Sequence, residues 1–230
     1  MEKIKAVKKY FSLFEIGLWV VSVTLITLSF LIFDGENYLT LFASLIGVTA
    51  ILLNAKGNPI GQFLMILFSF VYGYISYSFS YYGEMITYLG MTMPMALFAL
   101  ISWLKHPFKG NKAEVEVNRL SKKETMGMFL LSVAVTILFY FILSGFHTAN
   151  IVPSTLSVTT SFLAVYLTFR RSPYFSLAYG TNDIVLIVLW ILASMENIHY
   201  VSVVVCFIAF LFNDIYAFIS WKKMERRQAS

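Results

Sequence analysis

Apolar residues in this chain gather into runs of about 20 broken by short polar segments, and a helix rising about 1.5 Å per residue needs a run of that length to cross the ~30 Å hydrocarbon core of a bilayer. The runs lie near residues 14–33, 39–56, 59–81, 84–104, 124–145, 152–169, 174–195 and 198–220. The pattern predicts an all-α integral membrane protein with about eight transmembrane helices. The first run follows Lys3, Lys5, Lys8 and Lys9, as a signal peptide would. Its length suits a retained span instead, and Leu31-Ile32-Phe33-Asp34 offers no small-residue cleavage site.

Composition agrees with the runs. The 230 residues are 59% hydrophobic and 13% charged, about half the charged fraction of an ordinary soluble domain. A single cysteine, Cys206, excludes an intrachain disulfide, and no spacing of His and Cys suggests a metal site. The net charge of +5 takes its meaning from position. With alternating crossings, all 17 Lys and Arg fall on one side: the N-terminal tail, Lys56, the loop from Lys105 to Lys123, Arg170 with Arg171, and the tail from Lys222. The other side receives Asp34, Glu36, Glu84, Glu196, His147 and His199. Such segregation predicts a multi-pass protein of the cytoplasmic (inner or plasma) membrane with both termini cytoplasmic. It also gives the basic runs to topology and lipid headgroups, so no nucleic-acid partner is expected.

A weak duplication runs through the chain. Leu41–Pro59 overlays Thr155–Pro173, and Lys56-Gly57-Asn58-Pro59 answers to Arg170-Arg171-Ser172-Pro173, each a basic turn whose proline is expected to open the next helix. Further on, Tyr82-Gly83-Glu84-Met85 lies opposite Ser194-Met195-Glu196-Asn197, and Ile101-Ser102-Trp103-Leu104-Lys105 resembles Ile219-Ser220-Trp221-Lys222-Lys223. The expected organisation is a cytoplasmic tail and extra N-terminal helix (1–38), a three-helix repeat (39–105), a cytoplasmic loop with a linker helix (106–151), a second three-helix repeat (152–221) and a cytoplasmic tail (222–230). Three helices invert the chain and one linker restores it. The two repeats of this 3+1+3 order are therefore parallel, an arrangement that puts a transporter's site between repeats near the midplane.

Polar groups at membrane depth are costly and mark candidate function. Asn182 and Asp183 fall near the bilayer centre, and Phe175, Tyr179, Asn182, Leu186 and Trp190 share one helix face. Aromatic faces around an amide suit a flat, polar heterocycle. The plain alternative is interhelical hydrogen bonding for Asn182 and bulky packing for Trp190. Tyr88 and Thr92 share a face in the other half, where Pro94 leaves the Gly90 carbonyl without its helical partner. Asn213 and Asp214 lie two turns inside the last helix and read as a gate or structural clasp, with Lys56 or Lys223 as a snorkelling partner for Asp214. Gln62, His106, His147 and His199 read as interfacial. No phosphate loop, His-Glu-x-x-His or Gly-x-Ser-x-Gly occurs, so neither an enzyme nor a bound cofactor is expected.

Several anchors have a family look: Ala55-Lys56-Gly57, Tyr81-Tyr82-Gly83-Glu84-Met85, Asn182 in the helix after Pro173, and Asn213-Asp214-Ile215-Tyr216 before Trp221. In this order and spacing they resemble the nicotinamide riboside transporter family of the PnuC type, from about residue 39 to the C-terminus. The resemblance implies uptake of a pyridine nucleoside by facilitated diffusion, as a homotrimer with one pathway per protomer, with a separate cytoplasmic kinase trapping the product for NAD biosynthesis. It makes Asn182 the binding asparagine and puts Tyr88 where many members carry glutamine. The tryptophan pair common before that asparagine is here Phe175 and Ala178, so another vitamin such as thiamine remains an alternative substrate. A vitamin sensor or accessory subunit is the alternative of a different class. On the leading reading Phe175, Tyr179, Asn182, Asp183 and Trp190 face Tyr88 and Thr92 across the site, with Asp183 tuning the orientation of Asn182.

Overall fold

The computed structural model describes residues 10–78, 82–148 and 150–230. The basic residues Lys3, Lys5, Lys8 and Lys9, and Tyr81 of the family motif, lie outside the described residues. Eight helices are long and apolar enough to cross a membrane. They are α1 (Leu13–Phe33), α2 (Tyr38–Ala55), α3 (Pro59–Ser78), α4 (Tyr82–Lys105), α5 (Lys122–Gly145), α6 (Ile151–Phe169), α7 (Phe175–Ser194) and α8 (Val201–Ala229), the last entered through a 3₁₀ turn at Ile198–Tyr200.

Boundaries follow local chemistry. Ser12 caps α1 and Glu15 returns the bond to the Ser12 N–H, a reciprocal capping box. Pro59 is the first residue of α3, as expected. Pro173 instead lies in the turn before α7, two residues ahead of its start. The last helix outruns the expected end near residue 220 because its polar extension is held: Gln228 Oε1 accepts from the Val117 N–H at 2.7 Å, and Arg227 pairs with Glu114.

Six helices close a ring. Each of α2, α3, α4, α6, α7 and α8 packs on the next, and α8 returns to α2. Helix α1 rests outside, on α8 and α2, and α5 rests outside on α6. Their burial says the same: only 22% of the α1 window and 17% of the α5 window are buried, against 39–56% for ring helices. The outward side chains of α5, among them Leu130, Val133 and Phe141, are exposed and apolar, which water would penalise and lipid does not. Glu15, buried near the start of α1, is satisfied by Lys56 (3.2 Å) and by the Tyr216 hydroxyl, which donates at 2.7 Å.

Two sets of bonds at the basic end run from one half of the ring to the other. Trp103 Nε1 donates to the Thr168 carbonyl (2.9 Å) and Ser102 to the Phe169 carbonyl (3.0 Å). Trp221 Nε1 donates to the Asn54 carbonyl (2.7 Å) and Ser220 to the Ala55 carbonyl (2.8 Å). Asn54-Ala55 and Thr168-Phe169 are the very residues that the sequence overlay superposes, so the contacts are reciprocal. The two indoles meet at 5.4 Å between centroids.

A short hairpin of β1 (Pro107–Phe108) and β2 (Asn111–Val115) crosses the same end. Its turn residues Lys109 and Gly110 have φ of 48° and 80°, the positive values that a tight two-residue hairpin demands. The Val115 N–H donates to the Gly57 carbonyl (2.9 Å) and the Asn118 N–H to the Arg171 carbonyl (3.0 Å). One strap thus holds the α2–α3 turn, the α6–α7 turn and the tail of α8.

Candidate functional site

All six ring helices contribute to one narrow central cavity of about 40 Å³, well below the ~300–1,000 Å³ usual for small-molecule sites, so a ligand enters only as its walls part. Helix α7 supplies Phe175, Tyr179, Asn182 and Asp183; α4 supplies Tyr88 and Thr92; α8 supplies Asp214. The structure therefore brings together six of the seven expected substrate residues. Trp190 stands elsewhere. It lies eight residues beyond Asn182, roughly 12 Å along the axis, so the shared helix face continues past this cavity and Trp190 lines another nearer the opposite end.

Asn182 is oriented by its neighbours in α6. Its Oδ1 accepts from the Thr160 hydroxyl at 2.7 Å and the Ser161 hydroxyl at 3.1 Å. With the amide so placed, both Nδ2 protons are left to meet an acceptor in the cavity. Among the described residues Asp183 makes no hydrogen bond to Asn182. Its carboxyl instead lies within hydrogen-bonding reach of the Asp214 carboxyl across the α7–α8 seam, and both side chains are at most 4% exposed.

Among the described residues Asp214 takes no lysine partner. Lys56 is committed to Glu15 at 3.2 Å, because Glu15 reaches the basic end one turn outside the ring while Asp214 faces inward. Two adjacent buried carboxyls without a basic side chain require a shared proton or a bound cation. Asn213, one residue earlier, turns the other way: its Nδ2 donates to Ser22 Oγ of α1 (2.8 Å) and to the Ala209 carbonyl (2.8 Å). It clasps α1 to the ring.

The aromatic walls extend beyond the expected ones. Phe68, Phe207 and Phe210 line the cavity, and Phe207, Phe210 and Asp214 at i, i+3 and i+7 carry a face signal readable in the sequence. Phe175, 1% exposed, sits with Trp221 (4.8 Å) and Trp103 (6.2 Å) as a floor at the basic end. Gln62 is not interfacial: it is buried, and its Nε2 donates at 2.9 Å to the cavity residue Asn54. Tyr72 stands between the two cavities, 4.5 Å from Tyr88 and 6.5 Å from Trp190 by ring centroids.

In α4 the stretch Tyr88–Thr92 is a π-turn, closed by the Met93 N–H donating to the Tyr88 carbonyl. Pro94 cannot donate an N–H, which frees the carbonyls just before it and suits the wider turn. Tyr88, Met91 and Thr92 are buried on its inner side.

A family model described as nicotinamide mononucleotide transporter matches residues 37–223. The nicotinamide riboside transporter PnuC of Neisseria mucosa is 27% identical over 204 residues, covering 86% of this chain and 77% of that protein. The nicotinamide riboside transporter PnuC of Haemophilus influenzae is 23% identical over 195 residues, covering 84% and 82%. Among solved structures, a crystal structure of the vitamin B3 transporter PnuC superposes with a TM-score of 0.82 at 22% identity, covering 95% of this chain and 94% of that one. That likeness extends the shared fold to nearly the whole chain.

Proposed function

Because this chain belongs to the nicotinamide mononucleotide transporter family, a family of membrane transporters, we propose that it carries nicotinamide riboside through the six-helix ring by facilitated diffusion. The observation that carries this reading is the charge of the central cavity: two buried carboxyls, an oriented amide and, among the described residues, no basic side chain in its wall. A mononucleotide would bring its phosphate against Asp183 and Asp214, with no Lys or Arg to receive it. The riboside has no phosphate, and its pyridinium ring is a flat cation. Aromatic rings can stack on it, the carboxyls can neutralise it, and Asn182 can donate to its carboxamide oxygen.

On this reading residues 39–105 and 152–221 are the two repeats that move against one another, and the reciprocal tryptophan bonds support the assignment. Segments 1–38, 106–151 and 222–230 are the outer helix with its tail, the strap with the linker helix, and the C-terminal tail. The basic face is cytoplasmic, by the segregation of Lys and Arg, in the cytoplasmic membrane. The protein performs no catalysis, assembles as a homotrimer through its lipid-facing surfaces, and depends on a separate kinase for retention.

The test is uptake into liposomes that contain the purified protein and no kinase. Saturable entry of labelled nicotinamide riboside is expected, with nicotinamide mononucleotide and thiamine competing at least tenfold more weakly. Internal riboside should reach the external concentration and stop there, at the same level with and without an imposed proton or sodium gradient. Preferred thiamine entry would overturn the substrate. Gradient-driven accumulation lost in Asp183→Asn would overturn passive transport, and entry only with an added partner would favour an accessory subunit.

A further inference from the structure

A second, narrow cavity of about 50 Å³ opens at the end of the ring opposite the basic face, where the proposed topology meets the outside; a ligand larger than water enters it as the wall yields. Glu84 at the start of α4, Thr148 in the turn before α6, Trp190 in α7 and Glu196 just past α7 contribute its wall. Glu84 is 6% exposed, and among the described residues its Oε2 has no hydrogen-bond partner; the Thr148 hydroxyl has none either. No Lys or Arg occurs in residues 57–104, 124–169 or 172–221, so this end of the molecule has no side-chain cation except through His147 and His199. Ser157 stands within hydrogen-bonding reach of this carboxyl, but its charged form remains costly there unless a proton or a cation from outside joins it.

The lining decides which cation. Ca²⁺ takes six or more oxygen ligands, and no group of three or more His, Cys, Asp or Glu side chains arranged for a metal occurs among the described residues. A delocalised organic cation needs less: a carboxylate, a polar rim and an aromatic surface. Glu84, Thr148 and the Trp190 indole provide these, and exposed Glu196 adds negative charge at the mouth. We propose that this cavity is a vestibular binding site for an N-substituted pyridinium cation, with Glu84 as its counter-charge. Trp190, which separates from the central site on structural grounds, acquires a place here. Tyr72, between Trp190 and Tyr88, is then the partition that a ligand passes on its way inward. The direction of passage rests on the central-cavity reading; the vestibular site itself does not.

Isothermal titration of the purified full chain with 1-methylnicotinamide, and with uncharged nicotinamide as the control, tests the site. In an Asn182→Ala background, which disables the central cavity, one class of cation site should remain. Glu84→Gln should weaken it at least fivefold and Glu196→Gln about twofold, with no competition from nicotinamide. Loss of all cation binding in Asn182→Ala alone, or binding unchanged by Glu84→Gln, would overturn the proposal. Displacement by sodium chloride as effective as by the pyridinium salt would assign the carboxylates to an inorganic ion and also overturn it. Glu196→Gln in the otherwise unaltered chain, at an exposed position, gives the same reading should a buried variant fold poorly: a twofold loss of the weaker cation site is expected, and none would count against the proposal. Wild type that binds no riboside, yet binds 1-methylnicotinamide in a Glu84-dependent way, would remove the proposed substrate and leave the vestibule standing.

Discussion

Asn182 shows how much a single position can reveal and what it conceals. An amide in the middle of an apolar run is conspicuous because membrane burial of such a group is costly, and Asp183, Tyr179 and Phe175 were legible beside it for related reasons. The two hydroxyls that orient the amide were not. Ser and Thr recur along these helices and often bond to their own backbone, as Thr155 does to the Ile151 carbonyl and Thr168 to the Ala164 carbonyl, so Thr160 and Ser161 carry no distinguishing mark in the sequence. Replacing both, as Thr160→Val with Ser161→Ala, leaves Asn182 in place but free to turn. Riboside affinity should fall about tenfold, the ~1–2 kcal/mol of an oriented buried hydrogen bond, while the melting temperature in detergent changes little. Affinity equal to wild type in a titration would show that α6 does not set the amide. The carboxyl pair was half legible: Asp183 and Asp214 each stood out, but only the fold makes them neighbours.

Among the elements, α4 departs most from a regular helix. The sequence marked Pro94 as a residue that strips a carbonyl of its partner, yet whether the chain answers with a kink, a break or a π-turn depends on what the released turn packs against. Here the wider turn faces the cavity, and Tyr88 and Thr92 line its wall. Pro94→Ala restores an N–H and allows regular i→i−4 bonding. Removing one residue's worth of excess turn rotates the preceding segment by roughly 100°, so Tyr88 and Thr92 would leave the wall together. Riboside binding should drop by more than tenfold with thermal stability equal to or above wild type, as measured by paired titration and thermal melting; unchanged binding would show that the π-turn is incidental. Helix ends were harder to read than helix existence. Hydropathy located every span, but the long polar extension of α8 is held by the strap through Gln228 and Arg227, contacts more than a hundred residues away in sequence.

For the molecule as a whole, the number of helices was legible because lipid imposes a length on every span, and the duplication because both basic turns survived in it. Ring closure itself was not, although its exterior is marked in composition: α1 and α5, at a mean hydropathy of 2.4 against 1.4–2.1 for the ring helices, are the most apolar spans, as lipid-facing helices should be. The reciprocal bonds at the basic end, Trp103 to Thr168 and Trp221 to Asn54, suggest a use for the duplication beyond symmetry. Each half completes the other's backbone, so the seam is a recognition surface that needs no covalent tether. Cutting the chain between Lys109 and Gly110, at the tip of the hairpin, and producing the two fragments together should yield a complex that co-purifies and still binds riboside. Trp103→Phe with Trp221→Phe should abolish that complementation while the uncut chain carrying the same pair still folds. The protein would then behave as two gene-sized pieces that find one another in the bilayer, as two copies of a single ancestral unit once would have done.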